Sequence, residues 1–154
     1  MDAQALFELA MKHIYGDGVA EDNERALELL MKAHELSHTE ATYNLGICYH
    51  YGYGTAENLK KAFELYLEAA QAGYGKGMEL IGRFYNRGIY VKRDRDKAEH
   101  WLSKAMESND PEAVEIGVVQ KYANPLHKQN CYLKLSMDAY DKRLSRDLFR
   151  QLMQ

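Results

Sequence analysis

The sequence predicts an all-α fold assembled from repeated pairs of antiparallel helices. Three observations predict it: an internal register of 36 residues, apolar positions recurring every three and four residues, and glycines recurring between the two periodic stretches of each block. Blocks beginning at Ala5, Ala41 and Gly77 align without gaps. Each carries an apolar position (Leu9, Leu45, Ile81), a glycine (Gly16, Gly52, Gly88) and two small residues (Ala26, Ala62, Ala98, then Ala33, Ala69, Ala105). A strand would instead alternate with a period of two.

The elements follow in order. The first helix of each block runs up to its glycine, where a left-handed backbone would cost any other residue about 1–2 kcal/mol. The stretch YHYGYG, residues 49–54, is such a helix end and turn. A phosphate-binding loop would have a strand before its glycines and a helix directly after them, whereas here a helix precedes. Asp22, Asn58 and Asp94 then stand where a side-chain oxygen can cap the second helix. In those second helices Ala26, Leu29, Leu30 and Ala33, and likewise Ala62, Leu65, Tyr66 and Ala69, form one apolar stripe. Alanine admits close approach of a neighbouring helix, and the large residue beside it fills the remaining space, contributing about 1.5–3 kcal/mol when buried. The third block has Tyr90 where a second turn glycine is expected, so its turn, residues 88–97, is expected to take a different course.

Beyond residue 112 the pattern decays. PEAVEIGVVQKY reads as a fourth first helix, with a register ambiguous by one residue, and HKQNCYLKLSMDAY as its partner, with Tyr132 in the position of Trp101. DKRLSRDLFRQLMQ places Leu144, Leu148 and Leu152 four residues apart, an amphipathic helix suited to cap an open repeat array. The expected organisation is one domain, 1–154, with units 5–40, 41–76 and 77–112, a degenerate fourth unit 113–140 and a cap helix 141–154.

The pattern Ala-x-x-x-Leu-Gly-x-x-Tyr-x-x-Gly-x-Gly, complete from Ala41 through Leu45, Gly46, Tyr49, Gly52 and Gly54, resembles the Sel1-like repeat (SLR), a relative of the tetratricopeptide repeat. Lys61-Ala62, Leu65 and Ala69-Ala70, and in the third unit Lys97-Ala98, Trp101 and Lys104-Ala105, agree with its second half. Unit one departs from it, with Ala10 and His13 where Gly and Tyr are preferred. The resemblance implies a right-handed α-solenoid whose first helices line a concave groove. Groove positions carried across from the tetratricopeptide pattern are Phe7, Met11, Ile14 and Tyr15 in unit one and Tyr43, Ile47, His50 and Tyr51 in unit two. In unit three they are Glu79, Arg83, Asn86 and Arg87. Such a groove, aromatic at one end and cationic at the other, suits a partner protein or peptide with an aromatic or aliphatic anchor followed by carboxylates. Phe7 and Tyr51 are equally compatible with filling space between units.

Composition narrows the function further. The 154 residues are 46% hydrophobic and carry a net charge of −3, which gives no global attraction to nucleic acid or an anionic membrane. The run KRDRDK, Lys92 to Lys97, alternates its signs and reads as a solvated loop. Two distant cysteines, no export signal after Met1 and no long apolar run lead to the expectation of a cytoplasmic protein.

No cofactor is expected. His34 and His38 have helical i, i+4 spacing but no third ligand, so a solvated turn is expected there rather than a metal site. Cys48 reads as a small buried residue. The chain shows no nucleophile elbow or catalytic triad signature. The expected function is therefore a non-enzymatic protein-interaction module, an adaptor or scaffold. An immunity protein that occludes a bacterial toxin is an alternative within the binding class, and a hydrolase a minor one, because the hydrolase-like SLR proteins are rich in paired cysteines absent here. The oligomeric state is left open.

Overall fold

A computed structural model describes residues 1–122. The partner helix of the fourth unit, with Cys131 and Tyr132, and the cap helix expected at 141–154 lie outside the described residues. Among those described there are seven α-helices and no strand: α1 (Ala3–Tyr15), α2 (Asn23–Glu35), α3 (Thr39–Tyr51), α4 (Leu59–Gln71), α5 (Gly75–Arg87), α6 (Arg95–Glu107) and α7 (Pro111–Tyr122). The all-α helix-pair repeat is the observed fold. The first helices begin at 3, 39 and 75, two residues before the expected unit boundaries, and α7 begins at 111 in the same register.

Side-chain caps fix the helix starts, as the polar residues predict. The carboxylate or amide oxygens of Asp2, Asp22, Asn58 and Asp94 accept from the backbone N–H groups of Ala5, Arg25, Lys61 and Lys97 at 2.8–3.0 Å. The backbone repeats even more closely. Asp17, Tyr53 and Ile89 donate to the carbonyls of Lys12, Cys48 and Phe84, while Asp22, Asn58 and Asp94 donate to those of His13, Tyr49 and Tyr85. Helices α1, α3 and α5 thus close on the same two bonds, which satisfy carbonyls that the helix end leaves open.

This pattern corrects the expectation for the third turn. Gly18 and Gly54 have φ of +72°, and Tyr90 at the equivalent position adopts +62°. The two bonds that close the other turns recur here, and the third turn adds one of its own, from the Val91 N–H to the Ile89 carbonyl at 2.7 Å across Tyr90, so the shared closure is kept and the tyrosine bears the strain. Replacing Tyr90 with glycine should accordingly raise stability by about 1 kcal/mol, the left-handed penalty less the added freedom of the unfolded chain. A urea titration with a higher midpoint and unchanged slope would show it; an unmoved midpoint would mean that contacts of the ring offset the strain.

The chain divides into two compact units, Met1–Gly77 and Met78–Gln154. In the first, α1 packs on α2, α2 on α3 and α3 on α4, around Leu6, Phe7, Ala10, Leu29, Leu30, Ala33, Ala41, Leu45 and Cys48. Helices α3 and α4 approach closely at Gly46, where an added Cβ would lie 2.7 Å from the Tyr66 ring. In the second unit Gly82 faces Leu102 of α6 in the same way, at 2.6 Å, and α6 packs on α7. Small residue against large is therefore how each pair closes. The pairs also share a cation–π contact at one register, Lys61 over Tyr49 at 4.9 Å and Lys97 over Tyr85 at 5.3 Å.

Candidate functional site

In the first unit, one end of α1 and the middle of α3 flank a cavity of about 200 Å³. Met11, Ile14 and Tyr15 line it from α1, Asn44, Ile47 and Cys48 from α3, Asn23 and Ala26 from the start of α2, and Tyr53 from the turn after α3. Helical spacing puts Met11, Ile14 and Tyr15 together, and spacing from Asn44 to Ile47 and Cys48 does the same on α3. The turn brings Tyr53 across because Gly54 passes so close to α2 that a Cβ there would lie 2.3 Å from the Asn23 carbonyl oxygen.

The lining contains no Asp, Glu, Lys, Arg or His. Its one titratable thiol is kept protonated: burial pushes Cys48 up to about 11, against a smaller opposing effect of a backbone hydrogen bond. Tyr15 and Tyr53 line the cavity yet remain 74% and 48% exposed, so their rings are available at the surface. The Asn44 amide nitrogen donates to the Glu40 carbonyl at 2.8 Å, which turns its oxygen into the role of acceptor for anything else in reach. The site can hold an uncharged apolar group and one or two hydrogen bonds. It offers no acid–base pair.

A second group of rings extends from the same helix. His50 stacks on Tyr51 at 4.4 Å and lies 3.1 Å from the Tyr66 hydroxyl, while Tyr51 stacks on Tyr53 at 5.8 Å. Tyr43 packs between Tyr66 and Tyr74, at 5.7 and 5.1 Å. Of the residues expected in a groove, Met11, Ile14, Tyr15 and Ile47 thus meet at the cavity, Tyr43 and His50 join through Tyr66, and Tyr51 joins through His50. Asn23, Asn44 and Tyr53 were not anticipated, because nothing local in the sequence signals that a turn at 53 meets the start of a helix at 23. Between α3 and α4 a more open hollow of about 250 Å³ is lined by Lys61, Glu64 and Glu68 beside Leu45, Tyr49 and Leu65.

Three expected positions take other roles. Phe7 is core rather than groove: it is buried and stacks at 4.8 Å on His38. His38 in turn caps α3, its Nδ1 accepting from the Ala41 N–H at 3.1 Å and its Nε2 donating to the Gln4 side-chain oxygen at 2.9 Å. It is not a solvated turn residue, and neither is half-buried His34, which is hydrogen-bonded to the Thr42 hydroxyl at 2.8 Å. Among the described residues no group of three or more His, Cys, Asp or Glu could hold a metal ion.

Glu79, in the second unit, is also buried, and Arg83 binds it through Nη2 at 2.7 Å and Nε at 3.0 Å. The positive charge expected of Arg83 is therefore largely offset, and Arg87 is the exposed cation of the expected set. Asn86 is half-buried. Burial raises the Glu79 carboxyl above its ordinary 4.5, and Glu112 adds to the rise, while Arg83 and Arg87 oppose it. With the folded value raised, the native state holds the proton longer than the unfolded chain, so stability from this group is full below pH 4.5 and is lost as pH rises through the folded value. Glu79→Gln should remove that slope. In urea titrations across the acidic range, wild type should lose ground to the variant as pH rises; wild type gaining on the variant would show that the Arg83 pair, and not burial, governs the carboxyl, and parallel curves that the two cancel.

A Sel1 repeat family model matches residues 3–38, 39–74 and 75–110. Among solved structures, the chain is similar to a Sel1 repeat protein from Oxalobacter formigenes, with 32% identity and a TM-score of 0.66 over 74% of this chain and 86% of that one. It is also similar in fold to c5321, a protective antigen present in uropathogenic Escherichia coli strains that displays an SLR fold. There the identity is 24% and the TM-score 0.69, over 98% of this chain but only 30% of that one. A search of curated proteins finds no match.

Proposed function

The chain belongs to the Sel1 repeat family, and from that premise we propose that it is a non-enzymatic, cytoplasmic adaptor or scaffold that binds a partner protein or peptide on the exposed side of its first helices. The observation that carries this reading is the pairing of a charge-free cavity with tyrosines that stay largely exposed around it. Rigid aromatic rings bury contact area at little entropic cost, the property that makes tyrosine frequent in binding hot spots. In the second unit, taken by itself, Arg87 is an exposed cation of the kind that pairs with carboxylates. The net charge of −3 supports a protein partner over nucleic acid. No described helix is long and apolar enough to cross a membrane.

The test is affinity purification of the tagged chain from its native cells beside a Tyr15→Ala/Tyr51→Ala/Arg87→Ala version, with bound proteins identified by mass spectrometry. These three side chains are exposed, so their loss should leave the fold intact. Arg83 is a poor probe, because removing it would strand buried Glu79 without its cation. A stoichiometric protein bound by the parent and lost from the variant is the expected result. A protein retained by both would place binding elsewhere.

A further inference from the structure

We propose that the cavity flanked by α1 and α3 is an anchor pocket for a single uncharged, phenylalanine-sized side chain presented by a peptide segment of the partner. Its size decides against a cofactor or drug-sized ligand. Pockets for those are about 300–1,000 Å³, whereas this one is about 200 Å³. An apolar cavity of roughly 150 Å³ accommodates a benzene ring, so one phenyl group fits with room for its methylene.

Polarity selects the same occupant. A charged side chain entering here would lose its hydration and find no counter-ion, because no ionisable carboxylate, ammonium, guanidinium or imidazole lines the walls. Met11 and Ile47 offer adaptable and branched apolar surfaces, and the Cys48 thiol is a neutral third. A peptide fits better than a free hydrocarbon because the lining also carries the Asn44 amide, whose nitrogen is held by the Glu40 carbonyl and whose oxygen is left to accept a backbone N–H. Exposed Tyr15 and Tyr53 then flank the segment as it leaves the pocket.

This inference rests on the interaction reading, and its test separates the two. The intact chain is titrated with N-acetyl-phenylalanine amide, followed by amide shifts in a nitrogen-edited NMR spectrum, with the corresponding lysine and glutamate amides as comparisons. Expected are saturable shifts confined to residues around Met11, Ile47 and Cys48 for the phenylalanine probe, at least tenfold weaker responses to the charged probes, and loss of the response in Ile47→Trp, which fills the space from a half-buried position. If that variant fails to fold, intermolecular nuclear Overhauser effects from the probe's phenyl ring to the methyl groups of Met11 and Ile47 in the unmodified chain give the same information. Shifts scattered over the surface, equal response to the lysine amide, or no such effects at Met11 and Ile47 would overturn the pocket. A partner that binds the Ile47→Trp chain normally but is lost from the Tyr15/Tyr51/Arg87 variant would also overturn it while leaving the interaction reading standing.

Discussion

Tyr66→Ala should cost about 3–5 kcal/mol, the range for truncating a fully buried aromatic residue and a large share of the 5–15 kcal/mol typical of a folded domain. Tyr66 is 0% exposed, its ring lies against Gly46, and its hydroxyl is bonded to His50. Truncation empties the space between α3 and α4 and also removes the ring on which Tyr43 rests. Far-UV circular dichroism followed during urea titration would read the loss. A smaller change, below about 2 kcal/mol, would mean that the helices can close the gap. The pairing of small and large residues offers a finer check. Gly46→Ala alone should destabilise, since its new methyl collides with the ring, even though alanine favours helix more than glycine. Combined with Tyr66→Leu it reproduces unit one, where Ala10 and Leu30 hold the equivalent positions fully buried. The double variant should be more stable than the sum of the single effects predicts.

Gly54→Ala should cost about 2–5 kcal/mol, combining a left-handed conformation with overlap onto backbone. Its φ is +72°, and the atoms a Cβ would meet are the carbonyl oxygen and carbon of Asn23, which belong to the first turn of α2 and cannot swing aside. Gly18 provides the control. It has the same φ of +72° but nothing within 4 Å of an added Cβ, so Gly18→Ala should cost only the conformational share, about 1–2 kcal/mol. Equal losses in the two variants would show that the approach to Asn23 is not a constraint. The binding pocket should respond as well, because displacement of Gly54 carries Tyr53 with it and separates it from Asn23.

What the sequence made legible is what acts over short distances. A cap needs only Asp22 and the N–H three residues on, and a glycine turn needs only its own φ, so helices and turns could be placed from spacing. Tyr90 shows the boundary of that reasoning. Its side chain disfavours the left-handed region, but the same pair of backbone bonds that closes the other turns holds it there. The site was less legible because its parts are distant in sequence. Phe7 fits the apolar stripe of a groove equally well, and its burial, with the stacking of His38 thirty-one positions later, assigns it to the core. Glu79 reads as a surface charge until its burial beside Arg83 is seen. The cavity needs residues from 11 to 53, and no local pattern joins them.

The identical backbone bonds at successive turns and junctions have an evolutionary consequence. His38 and Tyr74, one register apart, each donate from the backbone to the carbonyl five residues earlier, at Ala33 and Ala69. Recombination that duplicates or deletes a 36-residue stretch between such points therefore joins equivalent backbone to equivalent backbone, with donors and acceptors still matched at the seam. Copy number can drift by whole units without passing through a chain that has lost a cap. One genetic event can thus exchange one wall of the cavity, since Asn44, Ile47, Cys48 and Tyr53 travel within a single block, while the facing wall of Met11, Ile14 and Tyr15 stays in the block before it.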